Sequence, residues 1–388
     1  MILRNIIYTI CFCQLTVLAI GQSTNKTADS NAVFAFELFK EVFKKDSNVL
    51  LSPYSISSAL AMTYAGARNE TEKQMSKVLH YDLKQLNTHE GFFEINSSFA
   101  HYKTNPVIKL SIANALWKDE GWGFKKEYLE LTKKYYDASL FPLKGARPIN
   151  DWADKNTNGK IKEIVEEKDL INARLVLTNA IYFKGDWLTS FNQKETKKDK
   201  FRATENKTID VDMMFQANEM NYFEDDQNQV IELPYKGETM AMTFIVPKEG
   251  NSILNLANNI NNKLLAYYNS NLSRHAVKMY IPKFSFTSEF HLEKVLSKMG
   301  MPDAFHPIKA DFTGMSSGLS ISKVIHKAFI EVNEKGSEAA AVTAVIMREK
   351  SAPKEIVFKA DRPFMIVITE KQTGSILFIG SVLNPNQL

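Results

Sequence analysis

Few residues of this 388-residue chain are spaced for catalysis. One stretch, Gly314-Met315-Ser316-Ser317-Gly318, matches the G-x-S-x-G pattern of a hydrolase nucleophile. That serine works only on a sharp turn from a strand into a helix. Here the loop-like Phe305-His306-Pro307 and Asp311 precede it and a strand is expected to follow, so the context is inverted. The seven histidines, His80, His89, His101, His275, His291, His306 and His326, have no zinc-ligand spacing such as H-E-x-x-H. No glycine-rich phosphate loop is present. The stretch that stands out is Glu331–Ser351, EVNEKGSEAAAVTAVIMREKS, which ends in Arg348-Glu349-Lys350-Ser351. After Gly336 come eleven residues, Ser337–Met347, without proline and with one charge, Glu338. At period two, Ser337, Ala339, Ala341, Thr343, Val345 and Met347 share a face whose small side chains suit a strand entering an existing sheet. Local propensity favours a helix as strongly: Ser337 is a cap, the alanines are helix formers, and Arg348 and Lys350 suit a C-terminus. A segment with two credible conformations next to a basic tetrapeptide has the makings of a switchable bait.

The elements that must hold this stretch follow from composition and periodicity. The chain opens Met-Ile-Leu-Arg, runs mostly apolar from Ile6 to Ile20 and reaches Gly21-Gln22-Ser23. This is the layout of a secretory signal peptide over 1–21, with Ala19 and Gly21 at the cleavage-determining positions; the run is short for a membrane span. Both cysteines, Cys11 and Cys13, fall inside it, so the mature chain has no disulfide and no thiol chemistry. N-x-S/T sequons at Asn25, Asn69, Asn96, Asn206 and Asn271 fit export. The net charge of +4 falls by one when Arg4 leaves with the leader, which is too little to call for nucleic acid. The densest basic run, Lys194–Arg202, reads as a solvated face.

Helical patterns dominate the first half. They cover Ser30–Lys45 (capped by Asp29 or Ser30), Ser55–Ala65, Glu70–Leu79, Glu90–His101, Lys125–Asp137 and the surroundings of Trp152. Strand patterns dominate the second. Asn48–Leu51 is short; Leu175–Phe183 is apolar enough to be buried on both faces, with Asn179 needing a buried partner. Gln229–Leu233 and Met240–Pro247 form a hairpin, Val277–Phe286 and Leu319–Val332 are strands, and Phe364–Thr369 pairs with Ile376–Leu383. Thr287 or Ser288 caps a helix over Phe290–Met299, stopped by Gly300. No repeat or linker divides the chain, which favours one interleaved α+β domain.

These segments also carry a resemblance. Asn48–Ser57 (NVLLSPYSIS), Asn150-Asp151-Trp152 with Thr157–Ile161, Leu177–Trp187 (LTNAIYFKGDW), Asp311–Met315, Asp361–Phe364 and the hinge EKGSEAAA occur in the order seen in serpins. The chain resembles that family along its whole mature length. The resemblance implies a single serpin domain over 22–388 with three β-sheets, eight to nine helices and an exposed reactive-centre loop at about 334–359. It implies a suicide-substrate inhibitor, not an enzyme: a protease acylates itself on the loop, which then inserts into the central sheet. The hinge is then Glu334, Gly336, Ser337, Ala339, Ala340 and Ala341. The reactive bond is Lys350–Ser351, with Arg348–Glu349 as the alternative, and either basic residue suits a trypsin-like serine protease. Insertion control falls to Ser52, Ser55, Asn179 and His326 beneath the sheet, and to Lys283 with Glu334 and Trp187 at its opening. The same resemblance leaves a non-inhibitory carrier or storage serpin as the other reading. It implies a secreted, extracellular monomer with no metal, membrane or nucleic-acid partner. Glu90–His101 holds few basic residues, so glycosaminoglycan activation finds no support there.

Overall fold

The computed structural model describes residues 14–81, 84–204, 206–337 and 356–387. The leader before Gln14, hinge residues Ala339, Ala340 and Ala341, and the bond candidates Arg348, Glu349, Lys350 and Ser351 lie outside them. Chain order begins with α1 (Gln14–Val42), β1 (Val49–Leu51), α2 (Pro53–Tyr64), α3 (Asn69–Val78) and α4 (Gln85–Phe99). Next come β2 (Ile108–Lys118), α5 (Lys126–Tyr136), β3 (Ser139–Pro142), α6 (Ala146–Asn156) and β4 (Leu175–Asp186). Strands then take over with β5 (Lys197–Thr204), β6 (Lys207–Glu224), β7 (Asn228–Pro234) and β8 (Met240–Pro247). Helices α7 (Ile253–Asn259) and α8 (Asn262–Asn271) precede β9 (Ser273–Pro282), β10 (Phe284–His291) and α9 (Glu293–Met299). The chain closes with β11 (Lys323–Val332), β12 (Gly336–Ser337), β13 (Ile356–Lys359), β14 (Phe364–Glu370) and β15 (Ile376–Val382).

Hydrogen bonds join these strands into two continuous sheets, one of nine strands and one of six. The nine-stranded sheet has two leaves. One holds β1, β15, β14, β8 and β7; the other holds β5, β6, β9 and β13. They meet where the last turn of β6, Asn221–Glu224, pairs with Gln229–Glu232 of β7. The three sheets expected from the sequence are thus these two leaves and the six-stranded sheet, ordered β10-β11-β4-β2-β3 with β12 on the upper end of β4.

β4 explains why the six-stranded sheet is central. Leu175, Leu177, Ile181 and Phe183 face the main core, shared with α2 and the nine-stranded sheet. Val176 and Ala180 face a second cluster under α6, with Trp117, Ile149, Ala153 and Ile325. A strand covered on both faces can afford no polar side chain without a partner, and Asn179 has its partners. α2 is buried along its whole length, and its small residues let it lie directly beneath the sheet.

Several expectations are corrected. Asp29 and Ser30 do not cap α1, which starts upstream at Gln14. α2 starts at Pro53 rather than Ser55, since proline is at ease in a first helical turn. Val277–Phe286 is two strands, β9 and β10, divided at Lys283, whose amide makes a last bond to the Asp212 carbonyl of β6 before the chain crosses to the other sheet. Thr287 and Ser288 lie in β10 and cap nothing; the Ser288 hydroxyl instead accepts the Leu50 amide. β2, β3, β5 and β6 were not among the strands expected from the sequence: β3 is four residues long, and lysine, aspartate or asparagine breaks the apolar pattern of the others.

Candidate functional site

The region where a new strand could enter is the seam between β11 and β4. These neighbours run parallel, paired from Lys323 with Val176 to Ala328 with Ile181. Above that the pairing stops: Phe329–Val332 keep their bonds to β10 but none to β4, so the sheet is already parted at its upper end.

The polar cluster lies within the closed part of the seam. His326 and Asn179 are register partners, and Asn179 is also paired with Asn114 of β2. The Ser52 amide donates to His326 Nε2 at 3.1 Å. That nitrogen must therefore be the unprotonated one, and Nδ1–H donates to Asn179 Oδ1 at 2.6 Å. The Asn179 amide nitrogen donates to the Ser55 hydroxyl and to Asn114 Oδ1, and Asn114 in turn donates to Ser58 at 3.3 Å. His326 is wholly buried, which lowers its pKa to about 3 and keeps it neutral. The Ser52 hydroxyl, also buried, has no hydrogen-bond partner among the described residues. The cluster thus ties β11, β4 and β2 to the start of α2 at one rung. Ser52, Ser55, Asn179 and His326 come together as expected. Asn114 and Ser58 were missed, although Asn114 shares a face with Ile108, Leu110, Ile112 and Leu116 and is the polar exception there.

The second cluster closes the parted end. Glu334 is 4% exposed; its carboxylate accepts from Lys283 Nζ at 3.0 Å and from the Thr196 hydroxyl at 2.9 Å. Burial pushes this carboxyl up, but bonds from its own amide, Lys283 and Thr196, with the Lys283 charge, outweigh burial and hold it below its ordinary value. The Trp187 indole donates to the Asn333 carbonyl at 3.0 Å and stacks on Tyr235, ring centroids 4.6 Å apart. The chain reverses at Asn333–Gly336 and β12 turns back along β4, antiparallel, pairing Gly336 with Asp186 and Ser337 with Gly185. Only glycine fits at 336: its φ is +137°, and a Cβ would lie 2.1 Å from the Gly185 carbonyl oxygen. Thr196 and Tyr235 carried no signal in the sequence, because they reach this cluster from remote segments.

The remaining candidates separate clearly. Ser316 is buried in a run of turns, with no strand before it and no helix after it among the described residues. No group of three metal-binding side chains occurs among the described residues, and none of their helices is long and apolar enough to cross a membrane. The basic run is largely neutralised: Lys198 pairs with Asp212, Lys200 with Asp210 and Arg202 with Glu249. Among the sequons, Asn25 lies in α1, Asn69 donates to Asp311 at 2.7 Å, and Asn96 accepts from Tyr54 at 2.9 Å. Asn271 is exposed at the end of α8, and Asn206 is exposed in the β5–β6 turn.

A sheet with a parted seam, a polar latch beneath it and a hinge folded over its opening is the arrangement of the serpins. The family described as Serpin (serine protease inhibitor) matches residues 29–385. The chain belongs to this family. It is 41% identical over 367 residues to an uncharacterized serpin-like protein of Thermococcus kodakarensis, covering 91% of this chain and 84% of that one. The fold is similar to the thermophilic serpin tengpin in its native state, with a TM-score of 0.85, 30% identity and 94% of each chain covered. It is equally similar to human thyroxine-binding globulin complexed with its ligand, at a TM-score of 0.85 and 29% identity over 94% of this chain and 100% of that one.

Proposed function

We propose that this serpin is a secreted suicide-substrate inhibitor of trypsin-like serine proteases. The observation that carries the reading is the register begun by β12. Continued downward, it pairs Met347 with Leu175, so that the eleven-residue run Ser337–Met347 matches β4 from Gly185 to its first residue. Along that register Ala339, Ala341, Val345 and Met347 share the core face of β4. Thr343 falls opposite Asn179 at the polar rung, and the lone charge, Glu338, falls opposite Lys184. An inserted strand antiparallel to both β4 and β11 replaces one parallel pairing with two antiparallel ones, the more stable kind per residue. It spans on the order of 35 Å at about 3.3 Å per residue, enough to carry an attached protease across the domain.

The chemistry is the protease's own. Its serine oxygen attacks the Lys350 carbonyl, the Lys350–Ser351 amide breaks, the new amine on Ser351 takes the proton, and an ester to Lys350 remains. Insertion before hydrolysis distorts the protease, and water no longer finds an oxyanion hole and triad in working geometry. The chain supplies no catalyst and needs no cofactor. Glycosaminoglycan activation gains nothing from α4, which has no lysine or arginine. Export rests on the leader over 1–21, and Asn206 and Asn271 are exposed sequons open to a glycan.

A carrier reading has the likeness to thyroxine-binding globulin in its favour, while the small hinge residues favour insertion. Incubation with trypsin separates them. A covalent complex that survives denaturing electrophoresis is expected; loop cleavage without complex overturns the inhibitory reading. The mass of the released C-terminal fragment decides between Lys350 and Arg348.

A further inference from the structure

At the pole opposite the hinge, where β4 begins, lies an open crevice of about 600 Å³. Asn172 and Arg174 line it from the approach to β4, Ser320 and Ser322 from the approach to β11, and Glu293 and Lys294 from α9. Its donors outnumber its acceptors. Arg174 lies over the Trp122 ring, 5.5 Å from its centroid, and neither Arg174 nor Lys294 has a carboxylate partner among the described residues. Ser320 is 5% exposed, yet its hydroxyl makes no hydrogen bond among the described residues. The Ser322 hydroxyl oxygen accepts from the Arg174 amide at 2.9 Å, which leaves its own proton to give. The one carboxylate, Glu293, has an oxygen taken by the Val324 amide at 2.9 Å, and two cations outweigh it. A buried hydroxyl without a partner is costly, and cations with free N–H groups favour an acceptor with several oxygens.

We propose that the native chain binds a small tetrahedral oxyanion here, a phosphate or a phosphate ester, and that the bound anion holds the lower end of the β11–β4 seam closed. Two bonds already cross the seam at this point. The Arg174 amide donates to the Ser322 hydroxyl, and the Ser322 amide donates to the Leu175 carbonyl at 2.9 Å. The anion adds a further link, from the Arg174 side chain to the hydroxyls of Ser320 and Ser322. A strand inserted down to Leu175 would drive β4 and β11 apart by one more strand spacing, about 4.8 Å. That movement breaks both bonds and divides the donor set. The site therefore exists only while the seam is closed. A ligand that binds one state alone, at about ninefold its Kd, shifts the equilibrium toward that state by about tenfold. Anion binding needs no inhibitory role, whereas its action as a brake rests on the insertion reading.

The test titrates inorganic phosphate and glycerol 2-phosphate into the uncleaved chain by calorimetry, with sodium chloride at matched ionic strength as the control for charge alone. Saturable binding is expected, and the tighter of the two probes tells a free ion from an ester. Arg174→Gln and Ser320→Ala should each weaken it by about threefold to tenfold, the size of one partly solvated charged hydrogen bond. Arg174→Gln/Lys294→Gln should abolish it. Phosphate should also raise the thermal midpoint of the parent and leave that of the double variant unchanged. No saturable binding, an equal response to chloride, or parental affinity in the variants overturns the site. The brake is read on the chain cleaved in its loop by trypsin, where insertion shows as a raised thermal midpoint. A cleaved chain with that rise should no longer bind phosphate; binding retained there overturns the brake. A cleaved chain whose midpoint does not rise removes the insertion reading and the brake with it, and the titration of the uncleaved chain still decides the site.

Discussion

His326 and Asn179 occupy one rung of the parallel β11–β4 pairing, with Nδ1 and Oδ1 2.6 Å apart, and the rung is the one a new strand must break. The bond needs a neutral imidazole whose Nε2 accepts from Ser52, and burial supplies it. The latch is thus a hydrogen bond whose strength depends on a proton being kept out.

Acid should weaken it in a defined window. His326 has a folded pKa of about 3 against an ordinary 6.5, so below pH 6.5 the unfolded chain binds a proton that the native chain refuses. Its contribution to stability is complete above pH 6.5 and is lost as pH falls toward the folded value. Between pH 7 and pH 5 the loss is about 2 kcal/mol. Denaturation midpoints of the parent and His326→Gln across this range should converge toward pH 5; parallel curves would contradict the assignment.

Lys283→Met should loosen the hinge. It leaves the buried Glu334 carboxylate with only Thr196 and its own amide, a cost of about 1 kcal/mol given that Lys283 is partly solvated. The native pair stabilises above the ordinary carboxyl value, near pH 4.5, and that stability is lost as pH falls through the lower folded value. The variant should therefore be less stable at neutral pH and less sensitive to mild acid. A denaturation series that shows the same acid loss in both proteins would rule this out.

Gly336→Val should destabilise the native chain by about 2 kcal/mol or more. The new Cβ meets the Gly185 carbonyl oxygen at 2.1 Å on a backbone with φ of +137°, and its three nearest neighbours, in Gly185, Asp186 and Trp187, are all main chain that cannot step aside. A fall of a few degrees in the thermal midpoint is expected. A midpoint equal to the parent's would mean that the Asn333–Gly336 reversal is not held as described.

Ser337→Arg should turn an inhibitor into a substrate. Ser337 pairs with Gly185 and leads the strand that must enter, and a buried, unpaired guanidinium opposes that entry. Several chains should then be cleaved for each trypsin trapped. An unchanged stoichiometry would refute insertion along the β12 register.

Much of this was legible in the residues. β4, the β7–β8 hairpin and the β14–β15 pair are announced by apolar runs between turn residues, because a strand buried on both faces has little freedom in composition. Asn179 announced itself by breaking such a run. β6 did not, since its 18 residues serve two leaves and their burial follows no steady two-residue alternation. Lys283 looked like one more residue of a strand, yet it ends β9 and pairs with Glu334, distant in sequence.

By itself the sequence marked most of the helices, the apolar strands β4, β7, β8, β14 and β15, and the proline-free run Ser337–Met347 with its single charge. Those are local matters of side-chain size, propensity and period. Only the tertiary structure decided that β11 and β4 are parallel neighbours already parted above Ala328, and that Glu334 is buried against Lys283 and Thr196. It also decided that β12 turns back along the upper end of β4, pairing Gly336 with Asp186 and Ser337 with Gly185. Register and burial are set by contacts between remote segments, and no window of sequence contains both partners.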